Sequence, residues 1–210
     1  MGDCKDSQSH SVLDNAVPSD DVTTWIRRIA FSTLLTARTL RFSQLVSETG
    51  LDASVVRSTL AKLLAGGVAT IMGDLAGDPE IVGAEGVTVL KTAHRLKLNG
   101  ATLFTWCAFD IVGIPAALGL NAFGETVCPT CTRAILLEME QGVPKSGPAA
   151  GWWPLDTAGP VVETFCPTAS IFCNSSHLER WQTKAGAHGE ILTLDQLAER
   201  GAQTWRRFVP

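Results

Sequence analysis

At 210 residues, 45% of them hydrophobic and 18% charged, the chain is long enough to bury a sizeable core without disulfide staples. A net charge of -4, a pI near 5.5 and the lack of any Lys/Arg block argue against a polyanion as the main partner. No apolar run reaches the roughly 18–20 residues of a membrane span, and the polar stretch Met1 to Ser19 has no h-region of a secretory signal, so a cytoplasmic protein without membrane association is expected.

Residues 1–20 mix Ser, Asp, Lys and His with few large apolar side chains and are expected to form a flexible tail, in which Cys4 is an exposed thiol without a role. Asp20 and Asp21 can cap a helix carrying Trp25, Ile26, Ile29, Ala30, Leu34 and Leu35 at helical spacing. A second helix fits Phe42 to Glu48 and closes at Gly50. A third starts at Asp52, carries Val56, Leu60, Leu63 and Leu64 on one stripe, and stops at Gly66-Gly67. Strands are expected at Val68 to Met72, Val87 to Leu90 and His94 to Leu98, with the Gly-rich piece 73–86 as a wing or connecting loop. This order resembles a winged helix. As a DNA reader it is poorly equipped, because its candidate recognition helix offers only Arg57 and Lys62 as cations.

From Ala101 the reading is a helix to about Val112, broken near Gly113 and Pro115, on which Cys107 and Asp110 share one face a single turn apart. Asn121 to Glu125 reads as a loop, Thr132 to Glu140 partly as a strand, and 142–159 as a connection in which Trp152-Trp153 are candidates for a lid, with core packing as the alternative. Asp156 in that connection reads as solvated. Further strands are expected at Val161 to Cys166 and Ala169 to Cys173. Capping boxes at Ser176–Glu179 and Thr193–Gln196 open two helices, the last burying Leu197, Trp205 and Phe208. The fold class expected is α+β: a winged-helix-like N-terminal helical module over 21–86, then a small mixed β-sheet domain with flanking helices over 87–210.

The six cysteines, Cys4, Cys107, Cys128, Cys131, Cys166 and Cys173, suggest metal, redox or nucleophilic work more than a disulfide framework. Cys128-Pro129-Thr130-Cys131 with Cys166 and Cys173 can be written as a four-thiolate zinc site, though the second pair stand seven positions apart, which is too wide. A thioredoxin-type dithiol would need the CxxC at a helix start, and here a strand comes next. Alternatively, thiolates gather around a soft ion such as mercury, and an adjacent carboxylic acid delivers a proton to a carbon bonded to that metal. Asp110 is placed to be that acid. His94, His177 and His188 have no spacing that points to a metal site and are assigned surface or capping roles.

Trp106-Cys107-Ala108-Phe109-Asp110, followed by Ile114-Pro115-Ala116-Ala117-Leu118-Gly119, resembles the signature of the organomercurial (alkylmercury) lyase family, and the likeness continues at Cys128 and at Thr164-Phe165-Cys166. The resemblance implies an enzyme that cleaves the carbon–mercury bond by protonolysis, giving a hydrocarbon and Hg(II) held by two thiolates. It implies Cys107 and Cys166 as the mercury-binding thiols, Asp110 as the proton shuttle and Cys128 as a structural cysteine. Trp106 and Phe109 flank that site in sequence and are candidate pocket residues, with core packing as the alternative and the preferred reading for Phe109. No organic cofactor and no resident metal are implied. External low-molecular-weight thiols would release the product, with a mercuric reductase as a candidate acceptor. Pro167, Thr168 and Ser170 stand where the family often has a further cysteine and histidines, and Cys131 and Cys173 are extra to its pattern. The alternative is a metal-responsive winged-helix DNA-binding regulator with a lyase-like fold.

Overall fold

The computed structural model describes residues 16–17, 20–155 and 157–209. Cys4, Asp156 and nearly all of the expected tail lie outside them.

Among the described residues, the N-terminal third has three principal helices and three short strands. Helix α1 (Asp21–Leu34) starts at Asp20, whose carboxylate accepts the Thr23 N–H at 2.6 Å, and buries Ile26, Ala30, Phe31 and Leu34. Strand β1 (Leu40–Arg41) leads into α2 (Phe42–Thr49), which ends at Gly50 in the left-handed region (φ 64), and α3 (Ala53–Ala65) comes next. β2 (Ala69–Met72) and β3 (Glu80–Ala84) form an antiparallel pair, with β1 on the other side of β3.

That pair is not confined to an N-terminal module. β4 (Val87–Thr88), β5 (Arg95–Leu98), β6 (Ala101–Thr105), β7 (Ala122–Val127), β8 (Ala134–Glu140) and β9 (Val143–Pro144) continue it into one nine-stranded sheet. A second, three-stranded sheet has β10 (Ala150–Pro154) between β11 (Ser170–Phe172) and β12 (Gly189–Thr193). All pairings among the described strands are antiparallel, so the expected small mixed sheet is corrected to two antiparallel ones, the larger crossing residue 86. The α+β class itself stands.

Helix α4 (Ala108–Leu118) lies at the centre and is buried from Ala108 through Pro115. It packs against β7, β11 and the long helix α7 (Leu194–Trp205). Two close approaches at glycine explain how. A Cβ on Gly201 would sit 2.0 Å from the Gly113 Cα, so α4 and α7 cross with their backbones nearly touching. A Cβ on Gly124 would sit 1.9 Å from Ile111 Cγ2, so β7 opens a slot for the helix.

Several expected elements change. The stretch 101–112 is not one helix: β6 carries its first half, with Leu103 and Thr105 buried in alternation, and α4 begins only at Ala108. Gly113 and Pro115 lie inside α4, which runs on to Gly119 (φ 65). The expected loop at Asn121 to Glu125 is largely strand β7, whose inward residues Ala122, Gly124 and Thr126 are too small to look like a core pattern. Val161 to Cys166 is not a strand. Pro160 starts the short helix α5 (Val161–Thr164), closed by Thr164 N–H to Pro160 O at 3.0 Å, and Cys166 comes after it in a turn. Helix α6 (Ser175–Ala185) is capped by Asn174 and not by Ser176. Trp152 and Trp153 form no lid: both are buried in β10.

Candidate active site

Cys107 is the N-cap of α4. Its backbone N–H donates to Asp110 Oδ2 at 2.9 Å, while its sulfur accepts from the Asp110 backbone N–H, so the pair forms a reciprocal capping box. The expected closeness of thiol and carboxylate is real, but capping produces it, not a shared face of one continuous helix. Thr105 Oγ1 donates to the Cys107 carbonyl at 2.9 Å and fixes the turn from strand to helix. Cys107 and Asp110 are both buried.

Cys166 reaches the same place from a distant part of the chain. The turn after α5 brings its buried thiol beside the Cys107 thiol, close enough to hold the Cys107 proton more tightly. That turn is anchored on the end of α3, where Gly66 O accepts from Val161 N–H at 3.0 Å and Gly67 O from Val162 N–H at 3.3 Å. Gly67 (φ +66) admits no side chain there, since a Cβ would lie 2.7 Å from Val161 N.

The pocket over this trio is lined by Gly86, Trp106, Phe109, Val161, Phe165 and Trp205, together with Asp110 and Cys166. Trp106 and Phe109 both border this pocket, and Phe109, expected to pack in the core, is at the same time buried in it. Phe109 also stacks edge-on against Trp153 (4.9 Å between centroids) and Phe165 (6.2 Å), which ties the wall into the aromatic core.

Two positions that sequence reasoning passed over complete the site. Gly86 (φ +88) presses its backbone on the Asp110 carboxyl so closely that a Cβ would lie 2.8 Å from Asp110 Cγ. Beside it, Glu85 is buried in the left-handed region (φ 52) and accepts both Arg27 Nε at 2.6 Å and Arg27 Nη2 at 2.8 Å, while its carbonyl accepts Trp205 Nε1 at 2.7 Å. The Glu-Gly pair in the supposed connecting loop is thus a tight hairpin turn, and an acidic residue next to glycine between apolar strands was its only signal.

Electrostatics derive from burial. Loss of water pushes the Asp110 carboxyl up to about 7, against the opposing pull of its hydrogen bonds to Cys107. Burial pushes the Cys107 thiol well above its ordinary range, and the Cys166 thiol and the negative Asp110 beside it push the same way. At neutral pH the site therefore holds a protonated Cys107 thiol next to a carboxyl poised between its two forms. Such a carboxyl can take a proton and give it back.

The other candidates part company with the trio. Cys128, Cys131 and Cys173 gather with His177, so the four-thiolate set that included Cys166 does not form. His94 is half-buried, its Nδ1 2.8 Å from Thr126 Oγ1, and the His177 ring faces Cys128 while its N–H takes part in the cap of α6.

The sequence pattern of the alkylmercury lyase family, MerB, matches residues 87–205, more than half of the chain and a span that contains Cys107, Asp110 and Cys166. An alkylmercury lyase of Bacillus cereus is 24% identical over 127 residues, 59% of this chain and 58% of that protein. One of Pseudomonas putida is 31% identical over 100 residues, 46% of this chain and 47% of that protein. The matches thus span less than two thirds of these relatives' length. The solved structure of the mercury-bound form of MerB2 superposes with a TM-score of 0.84 at 23% identity, covering 95% of this chain and 96% of that one, which establishes a common fold. The chain belongs to the alkylmercury lyase family.

Proposed function

We propose that this chain cleaves the carbon–mercury bond of organomercurials by protonolysis. The observation that carries the reading is that Asp110 and Cys166 line one apolar pocket, while the buried Cys107 thiol stands behind them, bonded to Asp110 and beside Cys166. Soft thiolates take the mercury, and an apolar wall takes its organic group.

The balance of the reaction is simple. An organomercurial carried as a thiolate, R–Hg–SR′, exchanges SR′ for Cys107, and the Cys107 proton leaves with R′SH. Mercury bound to one sulfur then attracts Cys166, whose thiol proton passes through Asp110 to the carbon as the Hg–C bond breaks. R–H departs, and mercury remains between two thiolates. Two external thiols reverse the Hg–S bonds, return a proton to each cysteine and carry the ion away, to small thiols or to a mercuric reductase. No organic cofactor enters this sequence, and a cytoplasmic setting supplies the thiols it needs.

Residues 21–86 are read as a winged-helix-like module and 87–210 as the part that carries the chemistry. Three helices followed by the β2–β3 hairpin support the first, and the family pattern beginning at residue 87 supports the second. A DNA-binding role is disfavoured by the fate of Arg57. Its guanidinium lies 4.0 Å over the Phe42 ring and donates to the Leu75 and Gly77 carbonyls, holding the module's own loop. Among the described residues no helix is long and apolar enough to cross a membrane.

The test is gas-phase detection of methane or benzene from methyl- or phenylmercury in excess thiol. Wild-type protein should release hydrocarbon and Hg(II) together, and folded Cys107→Ala, Cys166→Ala and Asp110→Ala proteins should not. Full turnover by Cys166→Ala would sink the two-thiol mechanism.

A further inference from the structure

The second cysteine group has the donor set and spacing of a metal centre, and no step of the proposed reaction uses it. Cys128 and Cys131 lie on the turn between β7 and β8, Cys173 comes directly after β11, and His177 sits in the first turn of α6. One donor atom from each lies within 4.8 Å of the others. Cys131 Sγ is 3.6 Å from Cys173 Sγ, and Cys128 Sγ is 3.5 Å from His177 Nδ1.

A tetrahedral zinc ion with Zn–S near 2.3 Å and Zn–N near 2.0 Å sets its ligands about 3.8 Å apart for two sulfurs and about 3.5 Å for sulfur and nitrogen. The two measured edges match those values. The sequence spacing, Cys-x2-Cys followed by Cys-x3-His, also falls within the range of structural zinc sites. We propose that Cys128, Cys131, Cys173 and His177 hold one structural Zn(II) ion.

Surrounding contacts fit the role. Thr130 Oγ1 donates to the His177 carbonyl at 2.8 Å, tying the CxxC turn to α6, and Asn174 Oδ1 accepts His177 N–H at 2.9 Å, fixing the helix start that aims the ring. Within the turn, Thr132 N–H donates to Cys128 O at 2.9 Å, and Thr132 takes the left-handed conformation (φ 59), a departure for a β-branched residue that folds both sulfurs to one side. Three thiolates on Zn(II) carry one net negative charge, and Arg133 Nε donates to Cys131 Sγ at 3.5 Å to offset it. Binding releases the three thiol protons to solvent, with no redox change.

Position gives the ion its purpose. It would fasten the β7–β8 hairpin of the large sheet to the β11–α6 corner of the small one. β11 also begins four residues after Cys166. The ion is separate from the substrate mercury, and the proposal does not depend on the chemistry assigned to Cys107.

The full chain, expressed without supplemented metal and purified under reducing conditions, should carry close to one zinc per chain by elemental analysis. A Cys107→Ser/Cys166→Ser protein should keep that zinc, and a Cys131→Ser/His177→Ala protein should lose it. Exchange of the wild-type protein into cobalt(II) should give the visible d–d bands and thiolate charge transfer of a tetrahedral site, and a chelator should lower its melting temperature. Zinc-free folded protein that gives no cobalt spectrum overturns the proposal, whatever the variants do. So does zinc that tracks with Cys107 and Cys166, or a site that takes Hg(II) and refuses zinc and cobalt.

Discussion

Asp110 concentrates the site's chemistry in one buried carboxyl, and its protonation should register in stability as well as in rate. Its carboxyl is far more basic in the folded protein, at about 7, than the ordinary value of 3.8. Between those values the folded state binds more protons than the unfolded one, so stability falls as pH rises. The contribution is fully present below about pH 3.8 and is lost by the time pH has passed about 7, for a total on the order of 4 kcal/mol. Urea midpoints of wild type should therefore drop from pH 5 to pH 8 more steeply than those of Asp110→Asn; equal slopes would mean the carboxyl is not held in this way. The same variant should lose roughly 10²–10⁴-fold in hydrocarbon release, the usual worth of a positioned acid–base group. Gly86 makes a companion test. Gly86→Ala places a methyl 2.8 Å from Asp110 Cγ at a φ of +88, so the carboxyl or the hairpin must move. We expect a cost of about 1–3 kcal/mol from the backbone alone and a fall in turnover with substrate binding less affected, read from kcat and KM separately.

Elements were legible in the sequence where side chains advertise their faces and obscure where small residues do the packing. Helix α1, with its Asp20 cap, and helix α7, with its Thr193 and Gln196 box, follow the expected pattern because polar caps and apolar stripes coincide. Strand β7 was missed because its inner face is Ala122, Gly124 and Thr126, chosen to admit Ile111 and not to fill space. The 101–118 stretch was misread for a related reason: its apolar residues follow one another so closely in sequence that the alternation of β6 is masked, and Gly113 looks like a breaker when it is a contact. Cys107 and Asp110 could be singled out because three-residue spacing brings the pair together either way. Cys166 could be tied to them only through the family resemblance, since no local pattern reports that residues 59 apart in sequence will meet. His177 needed the fold, because its cysteine partners come from two elements. If the α4–α7 crossing sets the pocket's depth, Gly201→Ala should be damaging well beyond its size. Its methyl would meet Gly113 Cα at 2.0 Å, which is backbone and cannot rotate away. We expect a loss of about 1–3 kcal/mol or more from overpacking, measured by urea unfolding, and an unchanged midpoint would show that the helices separate freely.

At the scale of the whole molecule, the N-terminal helices hold the site from two sides. The end of α3 supports the turn that carries Cys166, through Gly66 and Gly67. Helix α1 supports the turn that confines Asp110, through the Arg27–Glu85 pair, in which both side chains are essentially inaccessible, at 0% and 1% exposure. The Arg27 guanidinium also lies 4.6 Å over the Phe208 ring, so one side chain joins the first helix, the active-site hairpin and the C-terminal segment. Arg27→Met would leave the Glu85 carboxylate buried beside Gly86 without that guanidinium, and breaking such a pair typically costs about 3–5 kcal/mol. The Arg27→Met/Glu85→Gln double variant removes both charges, so it should recover a large part of the lost stability. Turnover separates the two roles of the pair. If it only stabilises the fold, the double variant should turn over at the wild-type rate wherever it is folded. If Arg27 also sets the height of the Glu85-Gly86 turn over Asp110, turnover should stay depressed after stability returns, and the pH dependence of activity should shift with the altered contact on the carboxyl. The closeness of Gly86 to Asp110, at less than a side chain's width, leads us to expect the second result.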